Sequence, residues 1–388
     1  MSPTDNVPNR PITFVITALG VGGAETQLTR VASAMARGGR RVRVLALRER
    51  AGFADALTAA GVPVRTLTPH GRRLSFGTWR ALLSELRRER DGCIVTFLLQ
   101  ANVLGRLAGA WCRQPVVSSI RNTRFGGDGR WGGHAGDLLE RLTVPLARTV
   151  VINARSTANV VIARGIVPAS KVRIVPNALP PTPAALSTTE RSRERERIGV
   201  DDRDVVWIAA GRFQPQKNHV ALLEAFAARR REAPRSVLWL AGEGPLMSAL
   251  EERASILGIG DAVHFLGLRR DLPQLLQLAD AFVLASRWEG LPNVVMEALA
   301  AGLPTVSTLV GGVDELIEDG VSGWIARSPE PEDLAIAMRR LAVANPQHRA
   351  RVAATGRHRV LARYSLQAAV AGWDAVIAEA CGDGEGHD

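Results

Sequence analysis

The sequence predicts an α/β protein of two domains, each a parallel sheet covered by helices on both faces, facing one another across a cleft. Three observations lead there. Short Val/Ile-rich runs alternate with helical patterns along most of the chain. The alternation occurs twice, and 388 residues exceed what one ordinary core holds. In the first half, strands are expected at Ile12–Thr17, Val42–Leu47, Ile94–Phe97, Val116–Ile120 and Val150–Asn153, with helical patterns at Glu25–Ala36 and Phe76–Arg88. In the second, they are expected at Val205–Ala209, Val237–Leu240, Val263–Leu266, Ala281–Ala285 and Thr305–Thr308, with helices at His219–Arg230, Leu246–Leu257 and Pro331–Leu341. Strands interleaved with helices imply parallel sheets buried on both faces, so each half reads as a Rossmann-like domain.

Pro176–Thr189 is rich in Pro, Ala, Ser and Thr, and the charged run Glu190–Arg197 follows it. The expected organisation is a first domain at 1–182, a linker at 183–200 and a second domain at 201–364. Leu366, Val370, Trp373 and Ile377 mark a final helix over 365–381, expected to return to the first domain, with a disordered tail at 382–388.

Composition narrows the class. Hydrophobic residues make up 46% and charged residues 22%, which describes a globular chain. No apolar run approaches the ~20 residues that span a bilayer. Met1–Arg10 lacks the apolar centre of a signal peptide, so a cytosolic location is expected. Cys93, Cys112 and Cys381 have no pairing or metal-ligand spacing, which fits a reducing compartment without structural zinc. The net charge is +11, and Lys171 and Lys217 are the only lysines. The arginines are scattered over helices (Arg87, Arg88, Arg90; Arg339, Arg340) without interleaved aromatics, so nucleic acid is not the expected partner. Beside Arg80, Arg87 and Arg88, the apolar series Phe76, Trp79, Leu83 and Leu86 permits weak docking on an anionic membrane, although core packing is the expected use of that face.

The most informative stretch is Arg287–Gly302. Glu289 and Glu297 stand eight positions apart around Gly290, Leu291, Pro292 and Asn293. Glu289 falls on a loop beyond a strand's carboxyl end, and Glu297 about a turn into the next helix, on the face of Asn293. Open α/β sheets bind ligands at that edge. Carboxylates accept from hydroxyls and helix-start amides donate back, which suits a polyhydroxylated ligand. The spacing alone fits two solvated glutamates equally well.

Other loops fall on the same edge. Gly211–Asn218 places Arg212 and Lys217 before a helix start, a pattern suited to a diphosphate. Gly242, Glu243, Gly244 and Pro245 follow another strand, and Gly311 and Gly312 form a further turn into a helix with donors for phosphate oxygens. In the first half, Gly20, Gly22 and Gly23 turn strand into helix, but the G-x-G-x-x-G spacing and its acidic partner are missing, which argues against dinucleotide redox chemistry. Each turn taken singly also fits tight packing.

In order, these motifs resemble the retaining nucleotide-sugar glycosyltransferases of glycosyltransferase family 4, which have the GT-B fold. The resemblance covers nearly the whole chain: Gly-Gly-Ala-Glu at 22–25, Arg212 with Lys217, Gly-Glu-Gly-Pro at 242–245, the Glu289/Glu297 pair, and Gly-Gly-Val-Asp-Glu at 311–315. It implies that Arg212 and Lys217 hold the donor diphosphate. Glu289 and the amides of Gly290–Pro292 would hold the sugar, Glu297 the ribose, and Gly22 and Gly23 would close on the phosphates. It implies no cofactor and no metal. One departure stands out: where many members carry a histidine after the fourth first-half strand, this chain reads Ser119, Ile120, Arg121, Asn122. Arg121, with Asn122, or His134 from the Gly-rich loop Arg124–Gly136, then takes the acceptor side. That loop reads equally as an acceptor or membrane contact and as a surface insert.

The expected activity is transfer of a hexosyl or N-acetylhexosaminyl group from a UDP- or GDP-sugar to a sugar or lipid-linked hydroxyl, in cell-surface polysaccharide or glycolipid assembly. A peripheral position on the inner membrane face goes with it. Alternatives are a nucleotide-sugar epimerase, a phosphorylase, for which neither lysine is suitably placed for pyridoxal phosphate, or a catalytically silent sugar-nucleotide-binding scaffold.

Overall fold

A computed structural model describes residues 10–49, 52–68, 74–122 and 134–382. Residues through Ala178, together with those from Tyr364 on, make one compact unit, and Leu179–Arg363 makes the other.

The first unit runs β1 (Ile12–Ala18), α1 (Gly23–Arg37), β2 (Val42–Arg48), α2 (Ala54–Ala59), β3 (Val64–Thr66), α3 (Phe76–Arg88), β4 (Cys93–Phe97), α4 (Leu99–Cys112), β5 (Val116–Ile120), α5 (His134–Thr143), a 3₁₀ turn at Val144–Leu146, β6 (Thr149–Ile152), α6 (Arg155–Ala163) and β7 (Val172–Ile174). Its seven strands are parallel, in the order β3-β2-β1-β4-β5-β6-β7. Alternate residues serve opposite faces, as a strand's pleat requires. Phe14 and Ile16 pack with Leu28 and Val31 of α1, while Val15 and Ile94 pack with Leu82 and Leu86 of α3. The apolar face of α3 therefore serves the core: Leu83 and Leu86 are buried, and only Phe76 of the series Phe76, Trp79, Leu83, Leu86 is largely exposed.

The second unit runs α7 (Thr188–Arg197), β8 (Val205–Ala210), α8 (His219–Glu232), β9 (Ser236–Ala241), α9 (Met247–Ile256), β10 (Val263–Gly267), α10 (Leu272–Leu278), β11 (Ala281–Leu284), α11 (Asn293–Ala300), β12 (Thr305–Thr308), α12 (Val313–Leu316), β13 (Trp324–Ala326), α13 (Pro331–Val343) and α14 (Pro346–Arg363). Its six parallel strands are ordered β10-β9-β8-β11-β12-β13. The last helix, α15 (Leu366–Cys381), belongs to the first unit, where Trp373 stacks on Phe97 at 5.5 Å between ring centres.

The segment 183–200 contains α7, opened by a capping box between Ser187 and Glu190. Arg191 and Arg195 tie it to the second unit through Asp280 and the carbonyl of Leu278. The three-residue strands β3, β7 and β13 and the helices α4 and α14 have no counterpart among the elements expected from sequence. Among the described residues, no helix is long and apolar enough to cross a membrane.

Candidate active site

In the second unit the chain passes from β8 to β9 and β10 on one side, then returns to β11 on the other. The sheet therefore has its switch point between β8 and β11, where loops at the carboxyl ends diverge and leave room for a ligand. The loops after β9, β8, β11 and β12 lie side by side at this edge.

The loop after β8 carries Gly211, Arg212 and Lys217. Arg212 is exposed. Gly211 lacks a side chain where the stem of Lys217 passes: a Cβ there would meet Lys217 Cε at 3.1 Å. The stem is thereby aimed across the switch point, and Lys217 Nζ stands 2.6 Å from Glu289 Oε1. Ser286 Oγ, fully buried, donates to the same oxygen at 2.7 Å. Gln216 Nε2 reaches Glu289 Oε2 at 3.4 Å and donates to the Trp288 carbonyl at 2.9 Å. Two further bonds join the same loops: Arg287 N–H to the Gln216 carbonyl at 2.8 Å and Arg287 Nε to Asn218 Oδ1 at 3.2 Å. Thr308 Oγ1, on β12, holds the Ser286 carbonyl at 2.7 Å. Glu289 is thus buried and oriented from three sides.

Gly290, Leu291 and Pro292 are buried beside it, and Pro292 caps α11. A proline loses nothing there, because a helix's first amides lack intrahelical partners. Gly311 and Gly312 press on this turn. Gly312 N–H donates to the Gly290 carbonyl at 2.7 Å, and Gly311 has φ +51° with no room for a Cβ against the Glu289 and Gly290 backbone. Only glycine meets both demands. Gly242 is equally constrained, since a Cβ would collide with the Gly211 carbonyl. Glu243 is exposed, and its Oε1 accepts from Leu268 N–H at 3.3 Å. Glu297 is half-buried on α11, where it lines a small cavity with Pro180, Pro181 and Leu276.

His219, at the start of α8, lies below this loop with its ring edge-on to Phe213 at 4.9 Å. Burial, and secondarily the charge of Lys217, pushes its pKa down to about 3, so it is neutral. Ser286, Gln216, Thr308 and His219 were not singled out from sequence. The one legible signal was Ser286, which follows a buried strand and precedes Glu289 by three residues.

In the first unit, Gly22 caps α1 and the Glu25 carboxylate lies beside it. Gly23 begins that helix. Arg121 packs over Phe97 and Trp373, at 4.9 and 5.5 Å from their ring centres, and donates to Asn177 Oδ1 at 2.7 Å. Burial pushes its guanidinium down to about 9, which leaves it cationic at neutral pH. Asn122 is half-buried next to it, and His134 is exposed at the first residue of α5. The basic, aromatic stretch Arg124–Trp131 lies outside the described residues. Among the described residues, no three His, Cys, Asp or Glu side chains are placed to share a metal ion.

A family model described as "Glycosyl transferase 4-like domain" matches residues 22–178, and one described as "Glycosyl transferases group 1" matches 190–359. The chain is 30% identical to the alpha-D-kanosaminyltransferase of Streptomyces kanamyceticus over 269 residues, 66% of this chain and 68% of that protein. It is also 30% identical, over 55% of this chain and 61% of the relative, to a GDP-mannose-dependent alpha-(1-6)-phosphatidylinositol monomannoside mannosyltransferase of Mycolicibacterium smegmatis. Among solved structures, HepE of Anabaena in complex with UDP-glucose superposes with a TM-score of 0.82 at 24% identity, over 96% of this chain and 99% of that one. WaaG, a glycosyltransferase involved in lipopolysaccharide biosynthesis, gives 0.74 at 19% identity, over 94% and 98%. Two parallel-sheet domains of this GT-B kind, both family models and the length of the first relative matched lead to one assignment: the chain belongs to the glycosyltransferases, with a 4-like domain followed by a group 1 domain.

Proposed function

We propose that the protein is a retaining, metal-independent transferase of glycosyltransferase family 4, which moves a hexosyl or N-acetylhexosaminyl group from a UDP- or GDP-sugar to a hydroxyl. The observation that carries this reading is the Lys217–Glu289 pair across the sheet's switch point, with exposed Arg212 on the same loop. An ammonium has three donors, and Glu289 Oε1 takes one, so two remain for phosphate oxygens. Arg212 adds a planar fork suited to the same group. As the bond from sugar to diphosphate breaks, negative charge grows on the departing oxygen, and fixed cations there stabilise it without a metal. Glu289 Oε1 is occupied by Ser286 and Lys217, which leaves Oε2, held only by a long contact from Gln216, to accept from a sugar hydroxyl. Arg121, Asn122 and His134 remain the proposed acceptor-side residues. Relatives named for a phosphatidylinositol mannoside and for lipopolysaccharide support an acceptor in glycolipid or cell-surface polysaccharide assembly.

The test is thermal stabilisation by a panel of UDP- and GDP-sugars, followed by transfer from whichever binds. At about a hundred times its Kd a donor adds roughly 2.7 kcal/mol to the stability of the unit that binds it. Stabilisation without turnover would favour a silent binding scaffold. No shift with any nucleotide sugar at millimolar concentration would overturn the reading.

A further inference from the structure

We infer that Arg121 is an oxyanion site, and that the acceptor carries a phosphate or carboxylate group which this guanidinium holds. This rests on, and deepens, the reading of Arg121 as an acceptor-side residue. Charge is the first observation. Arg106 and Arg195 are wholly buried, and each has a carboxylate: Glu140 for Arg106, and Asp280 at 3.0 Å for Arg195. Arg121 differs. Burial alone draws its pKa down to about 9, with no carboxylate near enough to hold it up. A desolvated charge is costly unless a counter-ion and hydrogen bonds compensate it. An arginine with only a structural task here would have its counter-ion, as the other two do.

Hydrogen bonding and placement point the same way. A guanidinium has five N–H donors. Among the described residues, Arg121 uses Nη1 alone, toward Asn177 Oδ1 at 2.7 Å, and its Nε is buried with no acceptor. That Asn177 oxygen is shared, because Asn153 Nδ2 also donates to it at 3.3 Å. Phe97 and Trp373 meet the plane of the guanidinium with their rings, and rings accept nothing from its edge. Arg121 directly follows β5, Asn153 directly follows β6, and Asn177 comes three residues after β7. These strands are neighbours, so the cluster lies at the carboxyl edge of the sheet, where parallel sheets take ligands. The planar group is thus seated on aromatic carbon and steered by one amide oxygen. An oxyanion would supply both the missing charge and the missing acceptors, and its geometry matches the fork. A neutral sugar hydroxyl would supply no charge.

The experiment titrates inorganic phosphate, glucuronate and glucose into the full chain carrying Arg212→Ala and Lys217→Ala, which strips the donor side of its cations. Binding is read by calorimetry. Phosphate or glucuronate should bind, and glucose much more weakly; the tighter anion tells a phosphate ester from an acidic sugar. Adding Arg121→Gln should weaken anion binding about tenfold or more, because charge-assisted hydrogen bonds are lost. Arg121→Lys keeps the charge without the fork and should fall between the two, which also serves if the glutamine variant does not fold. UDP and GDP are then titrated into the single variant Arg121→Gln and should bind as they do to the wild type. No nucleotide sugar enters the anion titration, so its failure stays distinct from a failure of the donor-site reading. Absence of anion binding, equal anion binding with and without Arg121, or glucose binding as tight as the anions would each overturn the inference. Loss of UDP and GDP binding in Arg121→Gln would overturn it too, by assigning Arg121 to the donor diphosphate.

Discussion

Lys217 and Glu289 are 72 residues apart in sequence, yet Nζ and Oε1 meet at 2.6 Å. The pair bridges the loops on the two sides of the sheet's switch point, and both side chains are largely withdrawn from water. Such a pair is weak evidence for stability, because desolvating two charges offsets their attraction. Its value lies in placement: each charge holds the other at the edge where a ligand of this sheet type sits.

Ser286→Ala removes a fully buried donor to Glu289. A hydrogen bond to a charged group contributes about 1.5–3 kcal/mol, which corresponds to roughly a 10- to 100-fold effect. We expect kcat to fall within that range while KM for the donor changes little, since Ser286 orients the carboxylate instead of touching the diphosphate. Steady-state kinetics on the folded variant check this, and an unchanged kcat would show that Lys217 alone suffices.

Gly242→Ala places a Cβ into the Gly211 carbonyl. Overpacking of this kind costs about 1–3 kcal/mol. For a unit of this size the thermal midpoint should fall by roughly 3–10 °C. Calorimetry that found an unshifted transition would mean the β8 and β9 loops separate easily.

The titration of His219 sets a pH dependence of stability. Its folded pKa of about 3 lies below the ordinary value of 6.5, because burial disfavours the charged ring. Below pH 6.5 the unfolded chain takes up a proton that the folded chain refuses. The native state therefore keeps its full stability above 6.5, loses about 1.4 kcal/mol per pH unit as pH falls further, and stops losing at about 3. Urea melts between pH 7 and 5 should show this slope in the wild type and a shallower one in His219→Phe. Parallel slopes would remove His219 as the cause.

How much of this was legible in sequence differs by element. The core strands were, because Val/Ile runs bounded by glycine have few other readings; β5 and β12 fall on the expected residues. The three-residue edge strands β3, β7 and β13 were not, because three residues display no alternation. Helix α7, polar on every side, reads as a linker by composition and is held by bonds from Arg191 and Arg195 to Asp280, more than eighty residues away. In the candidate site, Arg212, Lys217, Glu289 and the glycines could be picked out as residue types on strand-end loops. Their mutual geometry could not. The orientation of Glu289 by Ser286 and Gln216, and the seating of Arg121 against Trp373, depend on contacts between distant segments.

Activity should survive excess chelator, because Arg212 and Lys217 supply the positive charge that a metal would otherwise bring to a diphosphate. Transfer measured in EDTA should match the untreated rate. Complete loss, restored by Mg²⁺ or Mn²⁺, would contradict the proposed mechanism.

The central claim, that a donor diphosphate sits between Arg212 and Lys217 beside Glu289, is tested most directly by turnover of Arg212→Ala with the nucleotide sugar that stabilises the wild type. Arg212 is exposed, so the variant should fold normally. Removing a donor aimed at charge that develops in the transition state should lower turnover about 10²–10³-fold, or roughly 2.7–4 kcal/mol. Near-wild-type turnover in the folded Arg212→Ala protein would contradict the placement of the diphosphate.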